Sequence, residues 1–450
     1  MTFVVGVDMK RLIIEELIRW KSSKRRKPLL LTGVRQCGKT HILKEFGELY
    51  FENTCYINFE ANEKYKAFFE FDFDTDRILR EIELTENRKI NVGKTLLILD
   101  EIQEAPRAIT ALKYFCENKR DLHIVCAGSL LGVALKRENI SFPVGKVNRM
   151  QMYPMSFKEF LIACGEEKYV EIFNEWRIDR EIPELYAKPL EKLYKEYLIV
   201  GGMPEAVNEY ITSRDFVTVE EIQNEILTDY ADDFSKHAPL SEIEKIRLIW
   251  DSVPKQLAKE NNKFVFSHVK EGKRAHELEA SLQWLKNSGL IHMIELVQNA
   301  EIPLSAHSDA TYFKVYMSDV GLLCRRLGIS YKNVLEDNWP ITFRGAITEN
   351  YVLNELIYLN KKPYFWRSGN SAELDFVYEE DGGIFPVEVK AATNTQAKSY
   401  KQFCKKYKAK TGYKLSLKNL AYNDCEGVFT ISLPLYLQWN MDQIRKNTVK

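Results

Sequence analysis

The 450-residue chain has no surplus charge, because 64 Lys plus Arg balance 64 Asp plus Glu. With a net charge of zero, no global field draws the protein to nucleic acid or to a membrane surface, so any such partner has to be met by a local patch. No uninterrupted apolar run nears the roughly 20 residues of a membrane helix, which predicts that nothing spans a bilayer and that there is no membrane partner. The apolar start from Met1 to Val7 meets Asp8 and Lys10 too soon to read as a signal peptide. The eight cysteines are scattered without a CxxC pair, which argues against a disulfide framework and for a reduced, cytoplasmic compartment. Glycine and proline are sparse, 21 and 14, and low-complexity segments and obvious repeats are absent, so disorder is not the state this composition favours.

What is present is apolar material for several cores. At roughly 100 to 200 residues per domain, the length predicts about three or more. The pattern divides into a first core over 1–155, a helical piece over 156–240, a winged-helix-like piece over 241–335 and a last domain over 336–450. The predicted fold class is α/β throughout the first and last of these.

The strongest local signal is the segment Pro28 to Thr32 (PLLLT), a short buried-strand run, followed at once by Gly33 to Thr40 (GVRQCGKT) and a helical pattern from His41 to Leu49. Strand, glycine loop and helix in this order are what a phosphate cradle requires. Gly33, Val34, Arg35, Gln36, Cys37, Gly38, Lys39, Thr40 and His41 are therefore the candidate nucleotide contacts. The glycines let backbone N–H groups wrap the phosphates, Lys39 reaches the β and γ oxygens, and the Thr40 hydroxyl is a ligand for Mg²⁺. ATP and Mg²⁺ are the expected cofactors.

Some sixty residues on, Thr95 to Glu101 (TLLILDE) is an apolar strand that ends in two acids. Asp100 is the candidate to hold the metal, which leaves Glu101 to polarise the attacking water. Thr54 to Phe59 (TCYINF) and Leu122 to Ala127 (LHIVCA) are two further strands, a layout expected of the additional-strand P-loop ATPases. Ser129, just after the second, stands where a polar side chain can sense the γ-phosphate, although a serine there serves equally as a helix cap. Arg149, ahead of Arg137, is the candidate for an arginine finger; whether it acts in trans, in a homo-oligomer, or within one chain stays open in the sequence.

The segments RKPLLLTGVRQCGKT, LLILDEIQ, CAGS, PVGKVNRMQMYPMSFKEFL and YLIVGGMPEAV together resemble one prokaryotic AAA-type ATPase family. The resemblance continues through most of the chain. It implies an AAA-like parallel sheet with an added strand, and a carboxy-terminal restriction-nuclease-like domain of unknown function. Members of that family usually carry arginine where this chain has Lys146, so a finger or sensor role for that arginine would be weakened here or displaced to Arg149.

From Phe157 to about Leu240 the pattern is helical, broken at Gly201 to Pro204 (GGMP), and suits a helical lid. Leu278 to Leu285, Gly289 and Leu290 to Val297 then read as helix, turn and strand of a winged helix. The second helix of that piece carries Arg274, His276, Glu277, Glu279, Gln283 and Lys286, a mixed set without a basic excess, so a structural or protein-docking role is expected over DNA readout.

The last quarter opens with a helical pattern bearing Glu349, then strand-like Pro363 to Arg367 and Ala372 to Tyr378, the turn Asp381 to Gly383, and the returning strand Ile384 to Lys390. Period-two alternation puts Glu388 and Lys390 on one face. Asp375 and Glu388 on paired strands, with Glu349 completing a Mg²⁺ shell and Lys390 orienting water, form the set a phosphodiesterase needs, and the spacing resembles the PD-(D/E)xK nucleases. The run from Lys398 to Lys418 interleaves lysines with Tyr and Phe and is the candidate patch for a nucleic-acid backbone. Two readings stay open: an ATP-driven nucleic-acid enzyme, or a nucleotide-controlled switch whose inactive last domain docks DNA, RNA or a protein.

Overall fold

The computed structural model describes residues 9–128, 131–134, 142–259, 263–270, 275–369, 372–391 and 398–448. Two compact units emerge, one from Arg11–Tyr153 with Asn287–Leu290, the other from Pro154–Lys286 and Ile291–Lys450.

The first unit is built on five strands, β1 (Leu29–Gly33), β2 (Asn53–Asn58), β3 (Thr95–Asp100), β4 (His123–Ala127) and β5 (Asn148–Met152), in the order β2-β3-β4-β1-β5. Every neighbouring pair is parallel. All six residues of β3 and all five of β4 are buried, as expected of central strands covered on both faces. The strand between β2 and β4 is thus the acid-bearing one, and β4 separates it from the loop-bearing β1. The strand that intervenes in sequence, β2, lies instead at the sheet edge. Ile109, Leu112 and Phe115 of the helix Pro106–Asn118 pack with Leu97, Leu99 and Cys126 in one apolar core. This core fixes the carboxyl ends of β1, β3 and β4, where the chemistry-bearing residues stand.

In the second unit, the helices Phe157–Ala163, Glu167–Asn174, Glu184–Val200, Pro204–Ser213 and Phe216–His237 occupy the stretch read as a lid. The break at 201–203 has a packing cause. A Cβ on Gly202 would meet the Met155 carbonyl oxygen at 2.1 Å, and the Gly202 N–H donates to the Asp319 carboxylate at 2.7 Å. Asp319 also caps the helix Val320–Arg326 by accepting from the Leu322 N–H at 2.8 Å, and burial pushes its pKa up to about 6.

An eight-stranded mixed sheet completes this unit. Its strands are β6 (Ile291–Val297), β7 (Ser308–Met317), β8 (Tyr364–Ser368), β9 (Ala372–Glu380), β10 (Gly383–Val389), β11 (Thr411–Ser416), β12 (Ala421–Cys425) and β13 (Val428–Pro434), ordered β12-β13-β11-β10-β9-β8-β6-β7. The strand β6, expected to follow the helix and turn of a winged helix, pairs antiparallel with β7 and joins the carboxy-terminal sheet through parallel pairing with β8. The turn between β9 and β10 is the two-residue Asp381–Gly382 loop, both residues left-handed at φ 49° and 69°. The lysine-rich run resolves into a helix, Lys398–Tyr407, and the strand β11. Tyr400 and Phe403 of that helix are buried, and the Phe403 ring meets Trp366 of β8 edge-on at 5.2 Å.

A buried carboxyl ties the helix Phe157–Ala163 to the long helix Ile341–Tyr358: Glu355 accepts the Phe157 N–H at 2.8 Å. Burial raises its pKa from 4.5 to about 8, with Glu159 adding repulsion. The folded state therefore binds the proton more tightly than the unfolded chain, and stability falls as pH rises between those two values. Glu355→Gln keeps the acceptor without the charge, so its melting temperature should rise relative to wild type as pH goes from 5 to 8. A pH-independent difference between the two melting curves would contradict this.

Candidate functional site

The loop after β1 is held tight. A Cβ on Gly33 would meet the Met152 carbonyl oxygen of β5 at 2.3 Å, which demands glycine there. Gln36 and Gly38 are left-handed, at φ 64° and 94°. The helix Lys39–Tyr50 starts from Gly38 with no side-chain cap and no acid in its first turn. Its leading N–H groups and the positive end of its dipole are thereby available to an anion. Lys39 is buried and its Nζ donates back to the carbonyls of Gly33 at 3.0 Å and Val34 at 2.8 Å. Cys37 is buried under the loop, Arg35 is half-buried, and His41 is exposed, 3.9 Å from Glu45. The sequence reading missed Arg11, whose guanidinium donates to the Cys37 carbonyl at 2.8 Å and the Tyr153 carbonyl at 2.7 Å and so pins the loop from outside.

At the end of β3, Asp100 is 2% exposed and meets the loop directly. Its Oδ2 accepts the Thr40 hydroxyl at 2.8 Å and the Tyr56 hydroxyl at 2.8 Å, while Oδ1 accepts the Glu101 N–H at 3.0 Å. Tyr56, on β2, is a second residue the sequence reading passed over. Burial first and Asp100 next push its pKa up to about 12, and the Lys44 ammonium lies over its ring at 4.0 Å. Glu101 adopts a left-handed backbone, φ 50°, and its carboxylate accepts from Gln103 Nε2 at 2.5 Å. A non-glycine in that conformation is strained, which points to a constraint on where the side chain is aimed.

Ser129 and Arg137 lie outside the described residues, as does Arg274. Arg149 pairs with Leu30, three residues before the Met152–Gly33 pair, so it stands about 10 Å up the strand from the loop at ~3.3 Å per residue. It is exposed, with its guanidinium 4.5 Å from the Phe142 ring. Lys146 pairs with Glu117 at 2.8 Å.

In the second unit Glu349, Asp375, Glu388 and Lys390 do converge. Asp375 Oδ2 accepts the Val389 N–H at 2.7 Å, and Lys390 Nζ meets Glu388 Oε1 at 2.7 Å. Glu388 is 4% exposed, and its Oε2 is buried without a hydrogen-bond partner. Burial, then Glu388 and Glu349, raise the Asp375 pKa well above the carboxylate range, and burial raises that of Glu388. Burial opposes the Lys390 charge, but Glu388 and Asp375 outweigh it and keep its pKa above the ordinary lysine value. The sequence reading missed a second lysine. Lys314 of β7, 1% exposed, bridges Glu349 at 3.0 Å and Glu373 at 2.7 Å, and Tyr316 donates to the same Glu349 oxygen. Among the described residues no group of three or more His, Cys, Asp or Glu side chains is arranged to hold a metal. Among them, too, no helix is long and apolar enough to cross a membrane.

Comparison with known proteins assigns residues 25–161 to the family described as AAA domain, and residues 191–333 and 344–436 to two domains of unknown function, DUF8612 and DUF4143. An uncharacterized protein of Haemophilus influenzae is 26% identical over 203 residues, 43% of each chain. One of Mycobacterium tuberculosis is 40% identical over 79 residues, 17% of each chain. The matched stretches thus span less than half the length of these curated relatives. A Walker-type ATPase of Pyrococcus abyssi aligns in structure with TM-score 0.43 and 16% identity, covering 70% of this chain and 95% of that one. The family match over residues 25–161 takes in the glycine loop, the acidic end of β3 and the parallel sheet that joins them, so this stretch of the first unit is similar to the AAA domain family and has its P-loop fold.

Proposed function

We propose that the chain binds ATP with Mg²⁺ at the loop Gly33–Thr40, hydrolyses it, and uses the cycle to control how its carboxy-terminal nuclease-like domain engages nucleic acid. The observation that carries this is the meeting of Thr40 and Asp100 at 2.8 Å beside an uncapped helix start. A hydroxyl and a carboxylate, both oxygen donors, suit a hard cation, and Mg²⁺ there would neutralise charge on the β and γ phosphates. Lys39, now turned onto backbone carbonyls, is the group that pairs with phosphate oxygens. Glu101 is the base that orients water, and Gln103 sets its carboxylate. Arg149, exposed on β5, is the arginine a second copy of the chain would supply in trans, and Ser129 is the γ-phosphate sensor.

In the last domain the reading rests on the convergence of Asp375, Glu388 and Lys390 on the hairpin β9–β10. The orphaned Glu388 Oε2 is an acceptor that suits a divalent cation. Lys398, Lys401, Lys405, Lys406, Lys408, Lys410 and Lys418 are exposed and give a local basic surface on a chain of zero net charge. Residues 241–335 serve as structure, since their hairpin β6–β7 is built into the sheet. A cytoplasmic location suits the eight cysteines, all of them free.

Two measurements test these roles. Glu101→Gln should lower single-turnover ATP hydrolysis by about 10²-fold or more, the range expected for loss of a general base, and turnover within a few-fold of wild type would remove Glu101 from the mechanism. Incubation with Mg²⁺ and single- or double-stranded DNA or RNA should yield cleavage products that Asp375→Asn abolishes. Nucleotide-dependent binding without products would establish the docking switch in place of the nuclease.

A further inference from the structure

The acids of the last domain fall into two halves that differ in how their charge is met. In the first half, Glu349 and Glu373 share the buried ammonium of Lys314 at 3.0 and 2.7 Å. Arg367 Nε adds a contact to Glu373 at 3.3 Å, and the Tyr316 hydroxyl donates to Glu349. Two carboxylates thus face two cations and a phenol. In the second half, Asp375 and Glu388 have between them one ion-paired lysine, Lys390, and one backbone N–H, while Lys314 favours the Asp375 charge only through space. Lys414 on β11 lowers the cost of the Glu388 charge through space. Glu388 Oε2, on a side chain 5% exposed, has no donor at all. A buried carboxylate oxygen without a donor is costly unless a cation or a proton meets it.

We infer that Lys314 is a built-in cation that fills the Glu349 end of the cluster, so that the site takes a single divalent cation on Asp375 and Glu388, with Glu349 a positioning residue and not a ligand. The assignment rests on the proposed cation-binding reading of this domain and changes its ligand set. Lys314 comes from β7, Glu349 from the helix Ile341–Tyr358 and Glu373 from β9, so one ammonium ties three elements together. For a second ion to reach Glu349, it would have to displace a lysine that has almost no exposed surface through which to leave. Asp375, by contrast, keeps some exposed surface, whereas Lys314 keeps almost none.

The test counts Mn²⁺ bound per chain by electron paramagnetic resonance of the free ion, on the full-length protein without nucleotide. The count should fall by one in Asp375→Asn and in Glu388→Gln. Glu349→Gln should keep the ion with affinity weakened by about 10-fold, as an outer-sphere change does. Lys314→Gln should add one ion to the count, and if that variant does not fold, the other three decide. Loss of the ion in Glu349→Gln, or a fall of two in Asp375→Asn, overturns the assignment of Lys314 while leaving a cation site in place. A count unchanged in both Asp375→Asn and Glu388→Gln overturns the cation reading itself.

Discussion

The hydrogen bond from Thr40 to Asp100 is the contact on which the proposed nucleotide site depends. It spans two strands that are not neighbours, because β4 lies between β1 and β3. It can form only if parallel pairing brings the ends of all three strands level: Leu31 opposite Ala127, and Leu99 opposite Cys126. The buried apolar runs of these strands are therefore more than core. They set the height at which a hydroxyl from the helix start meets a carboxylate from the strand end. Tyr56 reinforces that point from β2, and Arg11 fixes the loop from its far side.

The second unit solves a different problem, the placing of four carboxylates in a largely buried space. Burying a charge is costly unless it is paired, and removing one partner of such a pair is strongly destabilising. Lys314 and Lys390 offset the acids from opposite sides, and the hairpin β9–β10 sets the register that lets Asp375 accept the Val389 N–H. The same charges that could serve chemistry therefore also hold the helix Ile341–Tyr358 to the sheet. This is why Glu349 reads as a metal ligand in the sequence and is proposed, from its contacts with Lys314 and Tyr316, as a positioning residue.

Much of the first unit was legible in sequence because its signals are local. PLLLT before GVRQCGKT and TLLILD before Glu101 are continuous apolar runs that stop at the candidate site residues, and both are strands in the structure. The turn at Asp381–Gly382 was legible for the same reason. What escaped was long-range. The pairing of β6 with β8 crosses more than sixty residues of chain, and no local pattern announces that a wing-like hairpin will join a distant sheet. Lys314 and Tyr56 escaped because a lysine or tyrosine in an alternating strand reads as surface or as packing, and lysine is almost never fully buried unless paired. Gln103 carried no signal beyond its place two residues after Glu101.

The central claim is that Lys39, Thr40 and Asp100 form a site for ATP with its metal. Calorimetric titration of ATP into the wild-type chain and into Lys39→Ala, each with Mg²⁺ and with chelator, tests it most directly. The account predicts one-site binding that Mg²⁺ strengthens in the wild type and that is lost in Lys39→Ala. Undiminished binding to Lys39→Ala, or no binding to the wild-type chain, would contradict it.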